Sequence, residues 1–501
     1  MIKEAPSTEN PLHMSRLRKE LYFVALIYGA SVTGVVGPVL VPGFSLVAAS
    51  LNVGLTQVTL LNGALIMALG VSAYICAPLA EIYGRRIAYL VTSLMLVFSC
   101  VWGGFAKTYG SLLASRTFQG LGMGGFFSLA GTVSINDLFP VNERGRRAGI
   151  WNFAVIVSVN VAPVISSYII TALGWQWSFK ILAIAFALAF ILVVFFVPET
   201  LPNNNVVDDH EMSRPDASSI ALRKLDTEVG MVQAHPTDGQ DVESPRKDGA
   251  NQKILERNLL TQQPFLRPPK SACNGLVHQL FILVAPLRLL RHPIIIWACA
   301  MWSVTFSWTI IQGAVADQIF EAEPYNLSAT SVGLLIGVPP LIGSAFGTIL
   351  GGYLCDLLAR MMAFRNGGIY EPEFRLPVLI PGMITTAIGS YGLGIVLDRG
   401  LSVWASAVLL GCLNFGVGMN CTSIVAYTND ACEEKTAEAF GVAMLVKSVF
   451  AFGLTFILND YYIVHGALAF FVTWGSLTAG VTLLTIPLYL YGKRLRVKMA
   501  L

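Results

Sequence analysis

Apolar runs of about twenty residues recur along the chain, parted by short polar turns. They read as spans at 21–45, 57–80, 87–106, 111–135, 148–172 and 178–197, then at 293–316, 329–354, 376–397, 401–426, 439–458 and 463–491. A run of that length can cross a bilayer as a helix, and backbone in hydrocarbon must satisfy its own hydrogen bonds. The pattern predicts an all-α membrane protein with twelve transmembrane helices, six on each side of a polar stretch. The expected domains are an N-tail over 1–20, a six-helix bundle over 21–200, a linker over 201–291, a second bundle over 292–492 and a tail over 493–501. The linker ("NNNVVDDHEMSRPDASS") is polar and poor in aromatics. It cannot bury enough apolar surface to offset its ordering entropy, and is expected to be disordered.

The two halves repeat. "TQVTLL" from Thr56 matches "TSVGLL" from Thr330, and "PLAEIYGRR" from Pro78 matches "GYLCDLLAR" from Gly352, which sets Glu81 over Asp356. "INDLFPVNERGRRAG" from Ile135 echoes "TNDACEEKTAEAFG" from Thr428, setting Asp137 over Asp430. Two parallel six-helix repeats are a transporter architecture, with the site near the midplane between them.

Composition narrows the function. The 501 residues are 54% hydrophobic and 13% charged, where a soluble domain carries about 25% charged residues. The net charge of +3 is small, no basic stripe with interleaved aromatics appears and no nucleic-acid partner is expected; eight scattered cysteines imply neither a disulfide framework nor a metal cluster. No phosphate-binding loop is present, so no nucleotide is expected. "GLGMGG" from Gly120 fits G-x-G-x-x-G but lies in an apolar span without a preceding strand, and reads as a packing face. No cofactor, metal or enzyme activity is expected; the partners are the lipid bilayer, a small-molecule substrate and protons. Arg16, Arg85, Arg86, Arg144, Arg147, Arg360 and Lys493 fall on one side of the spans, against Lys107, Lys180 and Arg399 on the other. Both termini are therefore expected in the cytoplasm, at the cell membrane or, as the alternative, the vacuolar membrane.

Two charges sit within spans, Arg116 and Lys447, and intramembrane charges mark function by default. No Asp or Glu sits mid-span; Asp317 is nearest, at the outer end of the seventh span. Cations without acids point to a neutral or anionic organic substrate. Gln119, Asn160, Trp302, Trp308, Gln312, Asn414 and Asn420 could line its site. In the second turn, Gly84 permits a tight reversal and Arg85 and Arg86 anchor it. Glu81 opposes the helix dipole unless a cation or a helix N-terminus faces it. Glu81, Gly84, Arg85 and Arg86, with Asp356 and Arg360 in the other half, are the expected conformational latch. A plain positive anchor explains the arginines but not the two acids. Asn326 in "NLS" is a glycosylation acceptor on the outer side.

"APLAEIYGRR" resembles the loop 2–3 signature of the major facilitator superfamily, Gly-x-Leu-Ala-Asp-Arg-x-Gly-Arg-Arg. It matches at Leu79, Ala80, Gly84, Arg85 and Arg86, carries Glu81 for the aspartate, and departs at Ala77 and Ile82. "RTFQGLGMGG" from Arg116 resembles the fourth-helix signature, while "FFVPETLP" and "RNGGIYEPEFRL" resemble segments of the fungal drug:proton antiporter group. The resemblance implies the major facilitator fold and proton-coupled export of a secondary metabolite, toxin or drug, hence drug resistance, with Arg116 and Asp317 in proton coupling. The helix-five antiporter signature departs: Pro163 is kept, but Asn160, Ala162, Ser166 and Ser167 replace its glycines. Proton-coupled uptake of a nutrient, and a transporter-like sensor, therefore stay open as alternatives.

Overall fold

The computed structural model describes residues 15–139, 141–200, 284–432 and 435–499. Most of the expected linker, 201–283, lies outside the described residues. The first half comprises α1 (Arg16–Val36), α2 (Phe44–Leu51), α3 (Leu55–Tyr83), α4 (Arg85–Phe105), α5 (Tyr109–Gly124), α6 (Ile135–Leu138), α7 (Val141–Leu173) and α8 (Trp175–Phe196). The second comprises α9 (Pro293–Phe320), α10 (Ala329–Arg365), α11 (Leu379–Asp398), α12 (Val403–Ala431), α13 (Thr436–Thr455), α14 (Leu458–Leu483) and α15 (Thr485–Met499). Among the described residues, eleven helical stretches are long and apolar enough to cross a membrane. The remaining span, fourth in chain order, is α5 with its π-helical continuation, Gly125–Ser134.

Three elements differ from the hydrophobic pattern. The first span stops at Val36 rather than running to 45. Pro38 and Pro42 lack the N–H that would continue it, and the chain turns through a 3-10 segment, Pro38–Gly43, into α2. The twelfth span is broken at Gly466, whose φ of 76° and ψ of 175° no helix accommodates. The tail expected from 493 is instead helical, as the end of α15. The glycines of "GLGMGG" do form a packing face. A β-carbon on Gly120 would lie 2.2 Å from the Leu65 carbonyl oxygen of α3, and one on Gly122 would lie 3.0 Å from the Thr92 carbonyl oxygen of α4.

Helix pairing repeats between the halves. In the first, α3 packs on α5, α4 on α5 and α8, and α1 on α7 and α8; in the second, α10 packs on α12, α11 on α12 and α14, and α9 on α13 and α14. Two counterpart contacts join the halves, α3 on α13 and α7 on α10. Glycines on α3 and α10 allow them: Gly63 and Gly70 face Thr455 and Ser448, while Gly333 and Gly337 face the backbone of Pro163 and Asn160. Small residues let helix backbones approach in a membrane.

The start of α1 and the end of α15 lie at one face of the bundle, the terminal face. At the opposite, far face, polar links cross between halves. Thr56 Oγ1 donates to Asp460 (3.2 Å), Asn459 Nδ2 donates to Thr59 Oγ1 (2.8 Å), and Ser45 donates from N (3.1 Å) and Oγ (3.3 Å) to Asp317 Oδ2. These links tie the halves together on the far side. Thr309, mid-span yet exposed, marks a path into the centre.

Candidate functional site

At the terminal face, the chain reverses through Gly84, whose φ of 106° requires glycine. That turn leaves the first amides of α4 free of helical partners. The Glu199 carboxylate from the end of α8 takes them, accepting from Arg85 N (3.0 Å) and Arg86 N (3.2 Å). An anion is favoured at a helix N-terminus. Arg86 Nη2 donates back to the Val194 carbonyl (3.0 Å), and the Arg85 side chain pairs with Asp137, which also accepts from Thr200 Oγ1 (3.3 Å). The second half builds a counterpart around Arg375. It pairs with Asp356 (3.2 Å) and Asp430 (2.6 Å), and Tyr370 donates to Asp430.

Of the residues expected in a latch, Gly84, Arg85 and Arg86 lie in the first cluster, and Asp356 has a cationic partner in the second. Arg360 does not supply that partner; it lies one turn along the same helix and its Nε bonds the Asp356 carbonyl oxygen (3.2 Å) instead. The Glu81 side chain lies outside the described residues, and Asp137 takes Arg85. Glu199 and Arg375 were missed, although both sit in quoted motif strings, "VPET" and "PEFRL".

Arg116 is fully buried. Its guanidinium donates to the carbonyls of Val36 (2.8 Å) and Gly37 (3.3 Å), to Asn62 Oδ1 (2.6 Å) and to Gln119 Oε1 (3.2 Å). The ending of α1 at Val36 is what frees these carbonyls, so the proline break and the buried charge answer each other. Gln119 belongs to this knot and not to a substrate cavity; its amide nitrogen bonds the Ser99 carbonyl.

Between the halves lies a cavity of about 40 Å³ lined by Asn160, Pro163, Thr309, Gln312, Ile336 and Asn414 among others. Asn414 Nδ2 donates to Gln312 Oε1 (3.0 Å), and Asn160 Nδ2 donates to Ser344 Oγ across the halves (3.2 Å). Gln312 Nε2 is buried without an acceptor. A drug-sized molecule needs about 300 Å³ or more, so α9 and its neighbours must part to admit one.

Trp302, Phe306, Thr309 and Gly313 recur at spacings of three and four, hence on one face of α9. The face that lines the cavity thereby continues to Lys447. Its Nζ lies 3.6 Å from the centre of the Phe306 ring and 5.4 Å from that of Trp302. Lys447 is 3% exposed, and no carboxylate pairs with it among the described residues. A desolvated cation–π contact contributes about 2 kcal/mol, while taking an ammonium out of water costs several. The rings alone do not compensate this charge. Phe306 was missed because an aromatic in an apolar span carries no mark of its own.

Besides Gln119, Trp308 and Asn420 are expected lining residues that do not reach the cavity. Trp308 is fully buried and donates from Nε1 to Thr478 Oγ1 of α14 (3.0 Å). Asn420 is buried against α11, where a β-carbon on Gly382 would lie 2.0 Å from its Oδ1. Asn326 is exposed on the far-face loop with a φ of 47°.

The family model described as Major Facilitator Superfamily matches residues 21–455. The MFS transporter cpaT of Aspergillus oryzae is 27% identical over 97% of this chain and 89% of its own. The probable efflux pump mfs2 of Aspergillus flavus is 24% identical over 84% and 89% of the two chains. The MFS antiporter QDR3 of Candida albicans is 22% identical over 94% and 77%. With a match running through both halves and a helix pairing that repeats between them, the chain belongs to the major facilitator superfamily and is a multi-pass secondary transporter, not an enzyme.

Proposed function

We propose that the chain exports a small organic molecule, a secondary metabolite, toxin or drug, across the cell membrane of a fungus in exchange for protons. The terminal face is then cytoplasmic, and alternating access comes from rocking of the bundle over 21–200 against that over 292–492, joined by the linker. Arg116 and Asp317 carry the proton coupling. Asn160, Gln312, Asn414, Trp302 and Lys447 contact substrate, and the Arg85 and Arg375 clusters steady the terminal face. Asn326 carries a glycan.

The contact of α7 on α10 supports this reading most directly. In helix five the antiporter signature lacks its glycines, yet the backbone there still meets its partner closely. Gly333 and Gly337 of α10 supply the small residues, and β-carbons on them would lie 2.8 Å from the Pro163 and Asn160 carbonyl oxygens. The departure in sequence therefore leaves the close packing of α7 on α10 in place, as the export reading requires. The names of the relatives, an efflux pump and an antiporter, point the same way.

Metabolite profiles of cells and medium, from the native host and a strain lacking the gene, test the direction. A compound that accumulates inside the deletion strain and falls in the medium supports export. A compound that stays in the medium instead means uptake, and overturns the proposal.

A further inference from the structure

We propose that Lys447 is the counter-charge for a planar aromatic carboxylate, held by its acid group at the ammonium and by a second oxygen at Gln312. The inference rests on the central cavity being the transport site, and deepens that reading by naming the substrate class.

Three observations meet along α9. Lys447 Nζ is buried from solvent, covered by the Phe306 and Trp302 rings, and has no acid paired with it among the described residues. Gln312 lines the cavity with its Nε2 buried and without an acceptor, while its Oε1 is already taken by Asn414. Phe306 and Gln312 are six residues apart, about 9 Å along the axis at 1.5 Å per residue. The path thus offers a cation at one end, an amide donor at the other and ring faces beside the cation. A rigid aromatic acid with a carbonyl or phenol oxygen about 9 Å from its carboxylate answers all three.

The ammonium is already out of water in the folded chain, so an arriving carboxylate meets a preorganised partner. Only the carboxylate's own hydration remains to be lost. Phe306, now over the ammonium, would swing to stack on the ligand ring, since aromatic pairs favour offset or edge contact. An organic cation would be repelled at the same place. A neutral ligand would leave the lysine as poorly compensated as before.

The test uses the full chain in lipid nanodiscs and two fluorescent probes, 6-acetyl-2-naphthoate and its carboxamide, measured by equilibrium dialysis. The wild type is expected to bind the carboxylate at least about tenfold more tightly than the amide, the step expected of one favourable charge contact in a partly dry site. Lys447→Met should bring that ratio to about one, and Lys447→Arg should keep it. Gln312→Leu should weaken both probes alike. A wild-type ratio near one, a ratio that survives in Lys447→Met, or no binding of the carboxylate overturns the inference. If the wild type shows no preference while the deletion strain still retains a compound inside, the anion assignment fails and export stands.

Discussion

Removing Glu199 should loosen the start of α4 and little else. Its carboxylate accepts from two backbone amides, at 3.0 and 3.2 Å, that have no helical acceptor. Charge-assisted hydrogen bonds contribute about 1.5–3 kcal/mol each where buried, and losing a helix cap costs about 0.5–2 kcal/mol. Glu199 is half-buried, so water partly replaces it, and about 2 kcal/mol is the expected loss for Glu199→Ala. At 1.4 kcal/mol per tenfold, that is about a 30-fold faster amide exchange at Arg85 and Arg86. Glu199→Gln keeps an acceptor and loses only the charge at the helix N-terminus, about 0.3–1 kcal/mol, or about two- to fivefold. Hydrogen exchange read by mass spectrometry on peptides from the first turn of α4 measures both. Unchanged exchange in Glu199→Ala, or equal effects of Ala and Gln, would refute the capping role.

Four further outcomes follow from the contacts. Gly343→Ala places a β-carbon 2.0 Å from the Gly411 carbonyl oxygen and should destabilise by about 1–3 kcal/mol. Gly453→Ala meets nothing within 4 Å and should stabilise α13 by up to about 1 kcal/mol; thermal unfolding in nanodiscs reads both. The Glu371 carboxyl is held below its ordinary value of 4.5, chiefly by the hydrogen bond from Lys493. A depressed carboxyl contributes stability above its unfolded value and loses it as pH falls through the folded one. A spin label on α15 should therefore gain mobility below pH 4.5, and Glu371→Gln should be mobile at neutral pH already. Arg116→Met leaves the Val36 and Gly37 carbonyls without their donor, at about 1–3 kcal/mol for each unmet group. Arg116→Lys lacks the planar fork that reaches several acceptors at once. Both variants should lose transport, and Met should also lower the yield of folded protein on size exclusion.

Much of the fold was legible because a membrane span is written as a run length, and the repeat as paired strings. What the runs concealed were breaks inside apolar sequence. The stretch from Val36 to Gly43 stays hydrophobic while its prolines end the helix, and Gly466 sits unremarked in its span. The site divides in the same way. Arg116 and Lys447 stand out as charges among apolar residues, but the Val36 and Gly37 carbonyls are backbone, and backbone acceptors leave no trace in residue types. Arg375 and Glu199 were visible as parts of motifs; their partners come from other helices and emerge only when those helices meet. Trp308 and Asn420 looked like lining residues because a polar handle in a span has the same sequence signature whether it faces a cavity or a neighbouring helix.

Transport in inverted plasma-membrane vesicles tests the central claim of proton-driven export most directly. In such vesicles the cytoplasmic face points outward, and the compound retained by the deletion strain is supplied outside. An acid interior should drive its accumulation, a protonophore should abolish it, and Asp317→Asn should bind the compound yet fail to concentrate it. Accumulation that ignores the proton gradient, or that runs only in right-side-out vesicles, would contradict the account.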